Sequence, residues 1–374
     1  MTLITSTLAY VVPFLIVLAI VVFVHELGHY WVARRNGVRV EVFSLGFGPE
    51  LFGWDDRHGT RWKLSAIPLG GYVRMLGDAD ATSTTLDLQH ARDPDSFPSK
   101  SVGQRMAIVA AGPAANFLFA IVALAVLFVF AGRPFTPADV GEVQPDSPAA
   151  AAGLQPGDRI VAVDGRAVAS FEELQRLVAG SAGETLRLGL DRAGQSLEVA
   201  VAVAVAEVTD RFGNVHRIGR IGVSRAGIEF KRVGPAAAVI DAVAETGRMI
   251  TGTLAALWEM VVGSRGTGEL GGPLRIAQMS GQIAQDGLVP FIWFCAILSI
   301  NLGLINLFPI PMLDGGHLVM YTVEAIRGRP LGERTQEMAF RVGLAMVLSL
   351  MLFATWNDRT VVYDIVNFLS SLVS

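Results

Sequence analysis

The chain has 374 residues, 52% hydrophobic and 17% charged, with a mean hydropathy of +0.47. That balance excludes an ordinary soluble domain and points to an integral membrane protein carrying some soluble mass. A net charge of −4 without any basic block sets nucleic acid aside as a partner, and the single Cys295 allows neither an internal disulfide nor a cysteine-rich metal site.

In chain order, the apolar run from Leu8 to about Ala33 predicts a first membrane span. It lacks the positive n-region and small-residue cleavage site of a signal peptide, so an uncleaved helix is expected. Near its end stand His25, Glu26 and His29, spelling H-E-x-x-H. On a helix, positions i and i+4 share a face, so two imidazoles can reach one zinc while the Glu works on the metal's water. Chance matches to this pattern are common. Ionisable side chains beside lipid are costly, however, and are functional by default, which outweighs a bland role as interface markers before Arg34.

Residues 40–76 alternate short apolar-aromatic runs with turn residues and predict a β-hairpin sheet beside the membrane. "DDRHGT" reads as its turn and Gly70-Gly71 as a further bend. Residues 77–99 read as a mobile loop. A second span is expected over Met106–Phe130; its polar Asn116 is read either as helix–helix glue or as a hydrogen bond near the site.

From Arg133 to about Val205 the composition becomes that of a small soluble domain. A strand, an Ala-rich turn, the Pro156-Gly157-Asp158 turn and the strand "RIVAVDG" precede a helix capped by Ser170 with Glu173 three residues on. Two alternating strands around Ala193-Gly194 follow. "SPAAAAGLQPGDRIVAVDG" resembles the PDZ domains of bacterial envelope proteases, which implies a groove taking peptide C-termini or extended segments by strand addition. An inert spacer of the same fold is the alternative. Residues 236–263 read as an amphipathic interfacial helix and "GELGGPLRIAQ" as a Gly-rich bend.

A third span is expected over about 288–313, where Pro309 and Pro311 forbid regular helix and free backbone groups, and a fourth over about 337–356. "VVYDIVNFLSSLV" reads as an interfacial tail. Arg34, Arg35, Lys100 and Arg105 flank the first connection, and Arg327, Arg329 and Arg334 the second, so both are expected in the cytoplasm and segment 131–287 outside. A catalytic zinc needs a third protein ligand. His58, His90 and His216 sit in loops or the outer domain, whereas "NLFPIPMLDGGH" places Asp314 at the end of the third span, on the side of His25 and His29. His317 reads as a residue behind the site or at an interface, not as a ligand.

H-E-x-x-H in the first span, "NLFPIPMLDGGH" in the third and a PDZ-like segment between them together resemble the site-2 protease family, in its bacterial regulator-of-sigma-E branch. "GFGP", "IPLGGYVRML", "AGPAANF" and "SINLGLINLFP" extend the resemblance over most of the chain. It implies His25, His29 and Asp314 as zinc ligands, Glu26 as catalytic base, Asn306 as a substrate clamp and 40–76 as a membrane-associated β-loop; the backbone broken at Pro309 and Pro311 is expected to offer an extended substrate strand further partners. It implies a zinc-dependent intramembrane endopeptidase of the bacterial inner membrane, with its active site near the cytoplasmic side. The substrates would be single-span proteins such as anti-sigma factors and signal-peptide remnants. Enterobacterial members carry tandem PDZ domains, and this chain has room for one.

The expected fold is a polytopic α-helical membrane protein of about four transmembrane helices, with a β-hairpin region and one extracytoplasmic PDZ domain of α+β type. Its expected divisions are 1–131, 132–225, 226–287 and 288–374. Two other readings are a PDZ scaffold with a vestigial metal site, and a metal transporter, which would need polar spans that this chain lacks. Ligand type alone leaves Fe or Mn open beside zinc.

Overall fold

The computed structural model describes residues 2–78, 93–209, 215–227, 229–263 and 271–357. The expected interfacial tail, most of the expected loop 77–99 with His90, and the start of the Gly-rich bend lie outside them. In chain order the elements are α1 (Thr2–Arg35), β1 (Val40–Asp55), β2 (Arg61–Met75), α2 (Val102–Phe130), β3 (Arg133–Phe135), β4 (Val140–Val143), α3 (Pro148–Ala151), β5 (Arg159–Val163), β6 (Arg166–Ala167) and α4 (Phe171–Gly180). They continue with β7 (Thr185–Arg192), β8 (Gln195–Ala202), β9 (Ala204–Thr209), β10 (Val215–Arg220), β11 (Val223–Arg225), β12 (Glu229–Lys231), α5 (Pro235–Val261), α6 (Pro273–Gln285), α7 (Leu288–Asn306), α8 (Asp314–Arg327) and α9 (Glu333–Asn357). The chain divides into two compact units, one of residues 1–125, 239–255 and 267–374, the other of 126–238 and 256–266.

Among the described residues, four helical stretches are long and apolar enough to cross a membrane: Leu8–Arg35, Val102–Phe130, Leu288–Asn306 and Arg334–Ala354. They coincide with the four expected spans, and a multi-pass membrane protein follows. The third differs in its end. Helix stops at Asn306 rather than running to 313, because Pro309 and Pro311 cannot continue it, and Asp314 opens α8 instead of closing the span. Met312, between them, is held at φ 79°, a conformation uncommon for a residue with a side chain. Helix α6 replaces most of the expected Gly-rich bend: Pro273 occupies its first turn, where a missing N–H costs nothing. It packs along α1 so closely that Gly281 leaves no room for a Cβ against Tyr10. Val17, Val21, Phe294 and Cys295 form an apolar cluster beside it, with Ile276 and Ile283 packed against them.

Strands β1 and β2 join through the expected turn, and both are bent. Trp62 pairs with Trp54 on one side and with Phe43 on the other, while Phe43 also pairs with Val73. Across the sheet the segments therefore lie in the order 50–55, 61–64, 42–45, 71–75. Gly70, at φ 104°, marks a kink within β2 where a separate bend was expected. Leu51, Phe52, Trp54 and Ile67 remain exposed on this hairpin.

The second unit contains a four-stranded sheet in the order β6-β5-β7-β8, with the pairs β9–β10, β4–β11 and β3–β12. Alternation of side chains along β7 turns Leu186, Leu188 and Leu190 onto a core with Ile160, Leu174 and Val201. Ser170 caps α4 by accepting a hydrogen bond from Glu173 N, as the sequence anticipated. Asp158, in the tight turn, is buried and receives Arg192 Nε at 2.6 Å and Gln155 N at 2.8 Å. The Arg192 hydrogen bond lowers its carboxyl from the ordinary value, outweighing burial.

Candidate metal centre

Helix α1 delivers His25 and His29 on one face, one turn apart. Their rings meet edge to face with centroids 4.8 Å apart, and their Nε2 atoms are 3.2 Å apart. Both are buried. Asp314, at the first position of α8, brings Oδ2 to 3.2 Å from His25 Nε2 and Oδ1 to 3.6 Å from His29 Nε2. Its place at a helix N-terminus suits a carboxylate. One candidate ligand atom from each of the three residues lies within 4.8 Å of the others. Asp314 Oδ2 is buried and makes no hydrogen bond of sound geometry, which leaves an acceptor without a donor 3.2 Å from His25 Nε2. Two imidazoles and one carboxylate are a donor set that fits zinc and leaves a position open.

The surrounding packing explains why the site can exist in an apolar bundle. Gly112 of α2 lies against both imidazoles; a Cβ there would overlap His29 Nε2 and His25 Cε1. Gly28 lets α1 approach Ala111 and Ala115 in the same way. His29 Nδ1 donates to the Ile108 carbonyl at 2.9 Å, which leaves its Nε2 free for a metal. Gly315 and Gly316 bring the start of α8 against the backbone of Leu307, Phe308 and Ile310, and so seat Asp314. Farther along α8, Glu324 forms a paired hydrogen bond with Arg105 of α2 at 2.7 and 3.2 Å, with Tyr321 stacked beneath the guanidinium.

Glu26 shares the helix and faces the hairpin: a Cβ on Gly71 would lie 3.2 Å from Glu26 Cγ. The hairpin is pinned to the same helix through Asp56, which accepts Tyr30 Oη and Trp62 Nε1 at 3.0 Å each. Burial would raise the Asp56 carboxyl, but these donors and the Thr60 and His58 amides hold it down at about 2. Asn306, the last residue of α7, places Nδ2 3.4 Å from His25 Nε2, and Pro309 and Pro311 shape the non-helical stretch that follows. Asn116 lies against His25. His317 and His58 stand outside the ligand cluster, and the side chain of His216 lies outside the described atoms.

The sequence reading therefore reached His25, Glu26, His29, Asn306 and Asp314; the structure brings His25, His29, Asp314 and Asn306 together and sets Glu26 on the same helix against Gly71. It missed Gly28, Gly71, Gly112, the Ile108 carbonyl and the Arg105–Glu324 pair. The crowding of small residues in "AAGPAA" was the available signal for Gly112.

Comparison with known proteins places these features. The pattern of Peptidase family M50 matches residues 13–350. A protein of Agrobacterium fabrum named provisionally as a zinc metalloprotease, Atu1380, is 48% identical over 93% of this chain and 95% of its own length. The regulator of sigma-E protease RseP of Escherichia coli is 33% identical over 92% of this chain and 97% of its own. Among solved structures, the PDZ domain of an SdrC-like protein from Listeria innocua covers 25% of this chain and 98% of that domain, at 22% identity and a TM-score of 0.20.

Proposed function

Because the chain belongs to Peptidase family M50, the site-2 protease family of zinc metalloproteases, we propose that it hydrolyses single-span membrane proteins within or near the bilayer of the bacterial inner membrane. The observation that carries this reading is the convergence of His25, His29 and Asp314 beside a helix apolar enough to span.

In this reading those three residues hold zinc, and the metal, when bound, supplies Lewis acidity towards the scissile carbonyl and acidifies a water. Glu26, placed between the two histidines in sequence, takes a proton from the attacking water. It returns that proton to the amide nitrogen as the C–N bond breaks. A membrane helix hides its carbonyls in internal hydrogen bonds, so cleavage requires local unwinding. Asn306, the non-helical backbone of 307–313 and the 71–75 edge of the hairpin offer replacement partners to an extended strand.

The kinship with a regulator of sigma-E protease supports anti-sigma factors as substrates, trimmed first by a cut outside the membrane, with signal-peptide remnants as a second class. The charge pattern of the connections supports an active site near the cytoplasmic face and a β-rich unit outside. There, read as a PDZ domain, that unit would bind extended or C-terminal peptide and hold back substrates that still carry bulky outer domains.

Co-expression of a tagged single-span substrate with the chain or its Glu26→Gln form tests the proposal. Product from the first and none from the second is expected; equal product from both would assign the cut to another protease and overturn the role given to Glu26.

A further inference from the structure

Both imidazoles of the metal centre need their Nε2 free, and each can manage this only if Nδ1 carries the proton and finds an acceptor. For His29 the acceptor is visible: the Ile108 carbonyl, at 2.9 Å. For His25 the group at Nδ1 is the side-chain amide of Asn116, at 3.2 Å. With Nδ2 turned to the ring, two donors would face each other in the metal-bound state. In that orientation Asn116 Oδ1 is also buried and accepts no hydrogen bond, so nothing holds the oxygen where it lies. The amide's oxygen and nitrogen are nearly isosteric, and half a turn exchanges them without disturbing the packing.

We infer that Asn116 is a positioning residue for His25, presenting its side-chain oxygen to Nδ1–H and so fixing the tautomer and ring plane that aim Nε2 at the metal. Its location supports this. Asn116 is fully buried, its backbone carbonyl accepts Ser299 Oγ–H at 2.9 Å, and Gly303 passes close to its Cβ, so α2 is tied to α7 at this residue. A polar side chain used only as glue between helices would have no need to face a ligand. The inference rests on the reading of His25, His29 and Asp314 as the zinc site and deepens it.

The test is zinc affinity of the purified full chain in detergent, measured by competition with a chelating indicator, with thermal unfolding of each metal-free form alongside. Asn116→Leu and Asn116→Ala remove the acceptor with different volumes; Asn116→Asp keeps an acceptor and removes both donors. Affinity about 10–100-fold weaker in the first two, with the aspartate form within a few-fold of the parent, is the expected result. Unchanged zinc affinity in Asn116→Leu and Asn116→Ala, whatever their thermal unfolding, would leave Asn116 as packing and overturn the inference. So would an aspartate form as weak as the alanine form, since the acceptor would then be irrelevant. His25→Ala serves as the control: if it bound zinc like the parent, the metal-centre reading itself would fall, whereas a loss there with no change at Asn116 would fault this inference alone.

Discussion

The two units bury polar side chains for different ends. In the first, His25, His29, Asn116 and Ser299 are all buried and lie on one chain of contacts that ends at the metal centre. In the second, buried polar groups close the backbone: Ser147 caps α3, and Asp158 secures its turn and Arg192. The first unit also buries polar groups that only close backbone, such as Thr60 Oγ1 on the Val40 carbonyl, so the contrast lies in the cluster around His25 and His29, which has no counterpart among the described residues of the second. Damage around the metal centre should cost zinc binding and activity, and damage to the core of the second unit should loosen the fold with zinc binding intact.

The sharpest way to break that contrast is Gly112→Val. The added side chain has no space beside the two imidazoles, so zinc binding and proteolysis are expected to vanish while the rest of the chain resists limited proteolysis as before. Wild-type zinc affinity in this variant would show that the helices yield and that the centre is less tightly defined than drawn. Next in size is Arg105→Ala. It strands a Glu324 whose side chain is only 13% exposed, at a cost of about 3–5 kcal/mol by the usual penalty for breaking a buried pair. It should loosen α8 and with it Asp314, read as a lowered unfolding temperature and weaker zinc binding together.

Leu188→Ala in the core of the second unit should cost about 2–5 kcal/mol, given that Leu188 is fully buried. Here faster proteolysis of the β-rich unit is expected with zinc affinity unchanged; a loss of zinc would join the two units energetically and end the comparison. The smallest effect is that of acid. The folded-state pKa of Asp158 lies below its ordinary 3.8, so its contribution is fully present above about pH 4 and is lost as pH falls through the lowered value. Acid-induced opening of the β-rich unit should therefore shift to higher pH in Asp158→Asn.

The zinc helix was legible because its signal is local: four residues of spacing define a face of a helix whatever surrounds it. The four spans were legible for a similar reason, since length and apolarity suffice. Asp314 lies almost three hundred residues from His25, and only depth, sidedness and resemblance connected them. What escaped the sequence depends on how helices meet. Gly112 acquires its meaning from α1 and α2 passing at close range, and no periodicity in either helix announces that approach; Asn116 stood out as polar within its span, but its partner His25 did not. Helix α8 was hidden by its opening "DGG", which reads as a turn until Gly315 and Gly316 are seen against the backbone of 307–310. Helix α6 was hidden by "GGP", where the proline starts a helix rather than ending one.

The close approaches at Gly28, Gly71 and Gly112 have a consequence for genetics. A collection of inactive alleles of this gene would be crowded with changes at residues that carry no reactive atom, because one methyl group at any of the three meets neighbouring atoms at 2.8 Å or less. Ordered by severity, such alleles would trace the wall of the reaction chamber, and a second-site suppressor of Gly28→Ala would be sought first at Ala111 or Ala115 across the helix contact.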